Sequence, residues 1–180
     1  MDRLRLQSTR RTGGRVPEAW SLPPSAKPNR AHELLFPSSW RFLASAWQWF
    51  FFRPGPFVAR PALTAQQNRG AYLVEALGHC GECHTPRNLL GATDHSRYLG
   101  GAKLAGVRGG TPNLTPTRLK KWDDKELADF LSSGLTPDGD VVGETMGEVI
   151  RNTTSRLTPQ DLAAMVDYLR TVPPVAQPPR

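Results

Sequence analysis

The segment Cys80-Gly81-Glu82-Cys83-His84 places two thiols three residues apart and an imidazole directly after the second thiol. This spacing is typical of covalent c-type haem attachment, in which both cysteines form thioether links and the adjacent histidine binds the iron as an axial ligand. The two cysteines are the only ones in the 180-residue chain. They lie too close together to close a long stabilising loop, so the pair indicates a chemical or ligand-binding role.

Three other interpretations of the cysteine pair remain open. A thioredoxin-like redox pair requires a βαβ setting, and no strand pattern precedes Cys80. A structural zinc site requires two further Cys or His ligands at matching spacing, and only His79 and His95 lie nearby. The third interpretation is an accidental pair at the end of a surface helix. The complete pentapeptide favours haem attachment over all three.

A haem iron that only transfers electrons needs a second strong axial ligand, and methionine is the soft ligand that raises the reduction potential. Besides Met1, the chain contains Met146 and Met165. Met165 falls on the apolar face of a predicted helix, which favours a position in the core. Met146 lies in the glycine-flanked stretch GDVVGETMGEV, which we predict to be a loop that approaches a flat ring closely. We therefore predict Met146 as the sixth ligand.

Further side chains are candidates for holding the axial histidine and the haem propionates. A ligating imidazole normally donates its second ring N–H to a fixed acceptor. The backbone carbonyl of Pro112, in GGTPNL, is the candidate acceptor for His84. Candidates for propionate contacts are Arg87 and Trp122, together with Arg97 and Arg108. Histidines without a partner in the sequence are predicted to be surface residues; they are His32, His79 and His95.

Residues 61 to 175 show helical periodicity interrupted by long loops. The predicted helices begin at Thr64, at Asp123 or Asp124, and at Thr158-Pro159, and they end at Gly78, at Gly134 and before Pro173. Between residues 85 and 121, six glycines and three prolines with no sustained period indicate loops. No stretch alternates over the length of a strand. The predicted class is therefore all-α, with loops that wrap a large apolar cofactor.

The charge of the chain is concentrated in its N-terminal third. Residues 1 to 60 hold ten basic and three acidic residues and carry the whole formal charge of +7, whereas residues 61 to 180 hold 13 of each sign. The basic excess therefore does not support a nucleic-acid-binding role for the remainder. Residues 1 to 33 are rich in Arg, Pro, Gly and Ser, and we predict a disordered or extended tail.

An aromatic-rich stretch, LLFPSSWRFLASAWQWFFF, occupies residues 34 to 52. Pro37 and Arg41 leave an uninterrupted apolar run that is too short for a transmembrane helix. We predict an amphipathic helix that lies on a protein surface. Contact with a membrane surface remains open, because Trp and Phe with the flanking Arg53 and Arg60 suit that boundary. RPGPF at residues 53 to 57 is predicted to end the helix.

On these motifs the chain resembles the class I c-type cytochromes. The helix leading into CGECH, the segment GTPNL, a loop methionine and the helix DLAAMVDYLRTVPP follow the order of that family. The segments CGECHTPRN, TPNLTP, TPDGD and TMGEVIRNTTSRLTPQ are closer still to the second haem domain of cytochrome c subunits of periplasmic, membrane-bound dehydrogenases of the alcohol and gluconate type. The resemblance implies a cytochrome c fold in which the first and last helices cross, with Gly70 and Tyr72 meeting Tyr168 and Leu169.

The resemblance also implies a domain organisation and a role. It implies an aromatic linker at residues 34–60, a cytochrome c domain at 61–175 with one covalent haem c, and a short tail at 176–180. The implied role is that of an electron carrier rather than an enzyme. Electrons would pass from a dehydrogenase catalytic subunit to a respiratory acceptor, in the periplasm or at the periplasmic face of the inner membrane.

Two departures from the family keep other hypotheses open. The chain contains no earlier CxxCH motif, and its start, MDRLRLQSTRRTGGR, lacks the apolar core of an export signal. SLPPSAKP at residues 21–28 is similar to TVPPVAQP at 171–178, so we expect residues 20–30 to be the tail of an upstream haem domain that is either lost or lies outside this reading frame. The alternatives are a haem enzyme or sensor with an open distal site of the peroxidase kind, and a truncated fragment of a multihaem cytochrome that is not matured.

Overall fold

A computed structural model describes residues 33–36, 39–103 and 110–176. The α-helices are α1 (Arg41–Phe51), α2 (Ala65–Ala71), α3 (Cys80–His84), α4 (Pro116–Leu119), α5 (Asp124–Ser133), α6 (Glu144–Asn152) and α7 (Pro159–Thr171). A π-helix, Tyr72–Leu77, continues α2, and 3-10 turns cover His95–Arg97 and Thr154–Arg156. Within the described ranges, β-pairing is confined to isolated bridges. The predicted all-α class is confirmed.

Helix α1 is shorter than the aromatic stretch that contains it. It begins at Arg41 and ends at Phe51, just before the RPGPF segment predicted to end it, and all of its residues are exposed. The chain divides into two units within this helix, between Ala44 and Ser45, and every later element belongs to the second unit. In the part of the chain that the structure describes, no helix combines the length and the apolarity needed to cross a membrane.

Side-chain caps begin the three helices that the sequence predicts. Thr64 and Asp123 each form a capping box with the residue three positions later, and the Thr158 hydroxyl accepts a hydrogen bond in the first turn of α7. Each cap satisfies a backbone N–H group that the helix leaves unpaired. α5 ends, as predicted, at Gly134, whose φ of 78° lies in the left-handed region that glycine tolerates.

Helices α2 and α7 cross at Gly70. A Cβ atom at this position would lie 1.9 Å from the backbone oxygen of Ala164 and 2.7 Å from Tyr168 Cβ, so the close approach of the two backbones requires glycine. Beside the crossing, Arg69 forms a bidentate ion pair with Asp161, with Nε–Oδ1 and Nη2–Oδ2 distances of 2.8 and 3.1 Å. The crossing of the first and last helices implied by the resemblance is present between α2 and α7.

The core of the second unit is built on α7. Its buried residues are Leu162, Ala164, Met165, Val166, Tyr168 and Leu169. They pack against Leu73 and Val74 of the π-helix, Leu127 and Leu131 of α5, and Leu99 in the loop that follows α3. Buried polar residues of the unit are His84, Thr85, Asn113, Thr115 and Thr154. Most of this polar group lies in or next to CGECH and TPNLTP, so the core continues directly into the candidate site.

The sequence-based prediction of a loop around Met146 is wrong, because residues 144–152 form helix α6. The loop was predicted from Gly143 and Gly147, and an interior glycine costs a helix about 1 kcal/mol. The structure buries Ile150 of α6 close to Gly134, at the end of α5. Burial of a large apolar side chain contributes about 1.5–3 kcal/mol, so this long-range contact outweighs the low local propensity.

Candidate haem-attachment site

The helix that precedes the cysteines ends at Gly78, as predicted, but it does not run straight into them. Residues Tyr72–Leu77 widen into a π-helix, in which Gly78 N–H donates to Leu73 O at 2.7 Å. His79 then takes a left-handed conformation with φ of 49°, and α3 begins at Cys80. Single π-turns are frequent at functional sites. Sequence periodicity did not reveal this one, since its apolar positions also fit an ordinary helix.

The short helix α3 carries the whole CGECH motif on little more than one turn. Cys80 is half-buried and Cys83 is exposed, and both are free thiols. Residues three apart on a helix share a side of it, so the two thiols face a common region. A Cβ atom at Gly78 would lie 3.2 Å from Cys80 Sγ, and one at Gly81 would lie 2.7 Å from the Tyr98 ring. Glycine at positions 78 and 81 therefore leaves room for the Cys80 thiol and for the Tyr98 ring.

The environment of the cysteines disfavours the redox and zinc interpretations. Burial raises the pKa of the Cys80 thiol to about 11, whereas a redox-active CxxC pair depends on a thiol of lowered pKa. A structural zinc ion requires four ligands. Over the described residues, no group of three or more His, Cys, Asp and Glu side chains is placed to hold a metal ion.

His84, the last residue of α3, is buried and fixed through one ring nitrogen. Its Nδ1–H donates to the backbone oxygen of Pro112 at 2.8 Å, which is the contact expected from the sequence. Burial lowers the pKa of His84, against the opposing effect of this hydrogen bond, and so favours the neutral imidazole. In that tautomer Nε2 carries a lone pair, and among the described residues it has no hydrogen-bond partner. A neutral imidazole with a free Nε2 is the form that binds iron.

Two loop segments, one of which carries Pro112, bond to the last two residues of α3. Thr111 Oγ1 donates to the Cys83 oxygen at 2.6 Å, and Gly101 N–H donates to the His84 oxygen at 2.8 Å. Gly101 has φ of 86°, and a Cβ atom there would lie 2.9 Å from the backbone nitrogen of Asn113. Only glycine at position 101 allows its backbone to approach the backbone of residue 113 so closely.

Asn113 is a positioning residue that sequence reasoning missed. Its buried side chain accepts from the backbone N–H and the hydroxyl of Thr115, both at 2.7 Å, and donates to Val175 O at 2.9 Å. The amide thereby ties the Pro112 segment to the chain that follows α7. Its position directly after Pro112 in TPNLTP was the available signal, since asparagine commonly bonds to the backbone two residues on.

The two methionines occupy different environments. Met165 is 2% exposed and belongs to the hydrophobic core of α7, so the predicted core position is confirmed. Met146 is half-buried in the first turn of α6. Unlike Met165, Met146 is not one of the buried core residues.

The other candidate residues already have protein partners. Arg87 bonds to Glu82 and Thr93, and Arg97 pairs with Asp94. The half-buried Trp122 ring stacks edge-on against Phe130, with 5.3 Å between centroids. Contacts with propionates remain predictions for Arg87 and Trp122. The surface positions predicted for His79 and His95 are confirmed, whereas Arg108 and His32 lie outside the described residues.

The residues present fit a covalent haem c. Two thiols share one side of a helical turn, and the imidazole beside them is neutral, fixed at Nδ1 and free at Nε2. This donor set provides two sites for thioether formation and one nitrogen ligand for iron. The hydrogen bond to Pro112 provides the outer contact that orients a ligating histidine.

Known proteins share sequence with the part of the chain that forms this site. A sequence profile described as "Cytochrome c" matches residues 67–173. The chain is similar to a diheme cytochrome c-type protein of Cereibacter sphaeroides, with 44% identity over 86% of this chain and 51% of that protein. It is also similar to a fructose dehydrogenase cytochrome subunit of Gluconobacter japonicus, with 37% identity over 86% of this chain and 32% of the subunit.

A third relative is the cytochrome c subunit of a quinone alcohol dehydrogenase of Komagataeibacter europaeus, with 34% identity over 84% of this chain and 34% of the subunit. The chain thus spans about half the length of the first relative and about a third of the other two. The profile match lies inside residues 61–175, where the sequence predicts the haem-binding domain.

Proposed function

Because the chain belongs to the cytochrome c family, we propose that it transfers single electrons by means of one covalently bound haem c. The observation that carries the proposal is the fixed, neutral His84, held by Pro112 beside two thiols on the same helical turn. Haem supplies an iron that changes between its ferrous and ferric states without bond rearrangement, so no proton-transfer or nucleophilic residues are needed.

Four residues would hold the haem group. Cys80 and Cys83 are the proposed attachment points, because the sequence contains one cysteine pair and therefore one attachment motif. His84 is the proposed proximal ligand through Nε2. Met146 would be the second iron ligand, and its half-buried position and the burial of Met165 in the core support this.

The protein's own groups keep the histidine ligand in one orientation. The Pro112 hydrogen bond fixes the imidazole plane and increases the basicity of Nε2, which stabilises the more highly charged ferric state. The contacts of Gly101 and Asn113 hold Pro112 in place. The reduction potential is therefore set partly by a loop that itself contributes no ligand.

The partner is proposed from the names of the relatives. Several relatives are named as cytochrome subunits of fructose, alcohol and gluconate dehydrogenases. A dehydrogenase catalytic subunit is accordingly the proposed electron donor, with a respiratory acceptor downstream. The proposed location is the periplasm, where covalent haem attachment takes place, with peripheral contact between residues 34–52 and the membrane.

The test is to express the chain behind a periplasmic export signal together with a haem-ligation system. Haem should stay bound to the wild-type chain through a denaturing gel, whereas a Cys80→Ser/Cys83→Ser variant should lose it. A colourless wild-type product would refute haem binding.

The electron-carrier role is tested next, with the holoprotein. Addition of a purified sugar or alcohol dehydrogenase and its substrate should reduce one haem per chain, and an oxidant should restore the ferric spectrum. A ferrous form that binds carbon monoxide rapidly would instead favour an enzyme or sensor with an open distal site.

A further inference from the structure

The carbonyl group that holds His84 belongs to a residue with no hydrogen-bond donor of its own. Pro112 is exposed and, as a proline, has no N–H group with which to bond the rest of the protein. Its oxygen accepts the hydrogen bond from His84 Nδ1 at 2.8 Å. The position of that oxygen therefore depends on the neighbouring residues Thr111 and Asn113. Thr111 bonds back to α3 at the Cys83 oxygen, and Asn113 supplies the support on the other side.

Asn113 is itself fixed by a residue that lies far along the chain. Its side chain is 1% exposed; Oδ1 accepts two hydrogen bonds from Thr115, and Nδ2 donates to the Val175 oxygen at 2.9 Å. The hydroxyl of Thr115, which is also buried, accepts a hydrogen bond from the Val175 N–H at 3.2 Å. The backbone of Val175 thus bonds to both buried side chains. We call these two hydrogen bonds of Val175 the Val175 clasp.

The segment that follows α7 places Val175 at this position. Val172 is 4% exposed and belongs to the hydrophobic core, so it anchors the start of the segment. The next two residues are Pro173 and Pro174, whose rings hold φ at about −65° and stiffen the connection. The Val175 side chain lies against Gly100, where a Cβ atom would approach Val175 Cγ1 to 2.6 Å. A short, stiff connection therefore seats Val175 on the loop that follows α3.

Loss of the clasp would affect the bond between Pro112 and His84. The acceptor for Asn113 Nδ2 in the described part of the chain is the Val175 oxygen, and a buried donor left without an acceptor is costly. Asn113 would then turn toward another partner, and Pro112, directly before it, would move with it. Because a hydrogen bond weakens steeply with poor geometry, the His84 imidazole would become less basic at Nε2 and would stabilise the ferric state less.

We propose that Val175 is a positioning residue for the iron ligand, because its clasp on Asn113 and Thr115 keeps the Pro112 carbonyl bonded to His84 and so lowers the reduction potential. The proposal rests on the proposed function, since it requires His84 to bind the iron of a covalent haem c. It deepens that function by making a residue beyond the last helix a determinant of the potential.

The experiment compares variants of the full-length holoprotein by redox titration and by exchange of the His84 Nδ1 proton with deuterium, followed by NMR of the ferrous form. Thr115→Val removes the hydroxyl that bonds to Asn113 and Val175 but keeps the branched shape of the side chain. It should raise the potential and speed the exchange about tenfold or more, because a buried proton exchanges only when its hydrogen bond opens. Thr115→Ser keeps a hydroxyl and should return both quantities toward their wild-type values.

A second pair of variants tests the clasp from Val175. Val175→Pro removes the N–H that donates to Thr115. The position is half-buried and follows the last helix, so we expect the fold to stay intact, with a raised potential and faster exchange. Val175→Ala is the matched control. It keeps both backbone hydrogen bonds and should have the wild-type potential and exchange rate.

A role in stability alone would give a different result. Thr115→Val and Val175→Pro would then lower the free energy of unfolding without changing the potential or the exchange rate, and that outcome would overturn the proposal. So would equal changes in Val175→Pro and Val175→Ala, because the backbone hydrogen bonds would not be their cause. A wild-type chain without covalent haem on a denaturing gel would instead refute the proposed function, so the two failures are distinguishable.

Discussion

One ring nitrogen of His84 is hydrogen-bonded to a backbone carbonyl, and the other is free in the described part of the chain. The sequence predicts some residues of this site and misses others. The cysteines and His84 are adjacent in the chain, so their chemistry could be predicted from spacing alone. Pro112 lies 28 residues away, but a ligating histidine needs an acceptor, and that requirement singled it out. Asn113 was not predicted, because its role depends on reaching Val175 after α7.

Replacing Met146 by alanine tests the proposed sixth ligand. Loss of a thioether ligand should open the iron and lower the reduction potential by at least about 0.1 V, within the roughly 0.8 V range that axial ligands span. The ferrous variant should also bind carbon monoxide, which the wild type should bind poorly. Both effects are measured on purified holoprotein, by redox titration and by absorption spectroscopy.

Met165→Ala is the control for this experiment. Its side chain is 2% exposed in the core, so truncation should lower the free energy of unfolding by about 2–5 kcal/mol. The six-coordinate spectrum should stay unchanged. If Met165→Ala opened the iron while Met146→Ala did not, the ligand assignment would move to Met165.

For the helices, the sequence predicts caps that form within one turn, but it does not predict helices that depend on contacts with distant residues. The sequence predicts helix starts at Thr64, at Asp123 or Asp124, and at Thr158-Pro159, and the structure has caps at Thr64, Asp123 and Thr158. These starts are predictable because a capping side chain bonds within its own first turn. Helix α6 was missed because Ile150 is buried against residues distant in the chain. The π-helix was missed because its altered hydrogen bonding leaves no trace in the apolar pattern.

Gly70→Ala tests the crossing of α2 and α7. Alanine favours an isolated helix by about 1 kcal/mol, but the added Cβ would meet the Ala164 oxygen at 1.9 Å. The clash forces the backbones apart, so we expect a loss of about 1–3 kcal/mol or more in the free energy of unfolding, measured with denaturant. Gly55→Ala, where a Cβ atom has no neighbour within 4 Å, should be nearly neutral. Equal stability of Gly70→Ala and wild type would contradict the crossing.

The ion pair beside this crossing predicts a dependence of stability on pH. The hydrogen bonds from Arg69 lower the pKa of Asp161 below its ordinary value. A lowered carboxyl pKa in the folded state stabilises the protein above the unfolded pKa of about 3.9 and stops doing so as the pH falls through the folded pKa. Because Arg69 is half-exposed, solvent screening limits the effect to about 0.5–1 kcal/mol.

Asp161→Asn should therefore be less stable than wild type by that amount at pH 7, and the difference should shrink steadily below pH 4. Unfolding free energies measured from pH 7 to pH 3 give the comparison. Arg69→Gln should show the same trend. A difference that stays constant across this pH range would exclude the ion pair as its source.

Across the whole molecule, the N-terminal third is basic and the remainder is neutral. The structure places an exposed aromatic helix in the first part and the haem-attachment motif in the second. In the second part, several of the buried groups are polar. A bound haem would add a large apolar group to this core. Small domains often need a bound group to be stable.

Removal of the haem group should therefore destabilise the whole second unit rather than the site alone. A ligand that binds only the folded chain adds its binding free energy to the stability, so the Cys80→Ser/Cys83→Ser variant, which cannot retain haem covalently, should melt at least about 10 °C below the holoprotein, a loss of roughly 2 kcal/mol. Circular dichroism at 222 nm measures this, with a Val141→Ser holoprotein as a control that keeps both cysteines. Melting of the cysteine variant at the holoprotein temperature would mean that the apolar core around α7 supports the fold without haem.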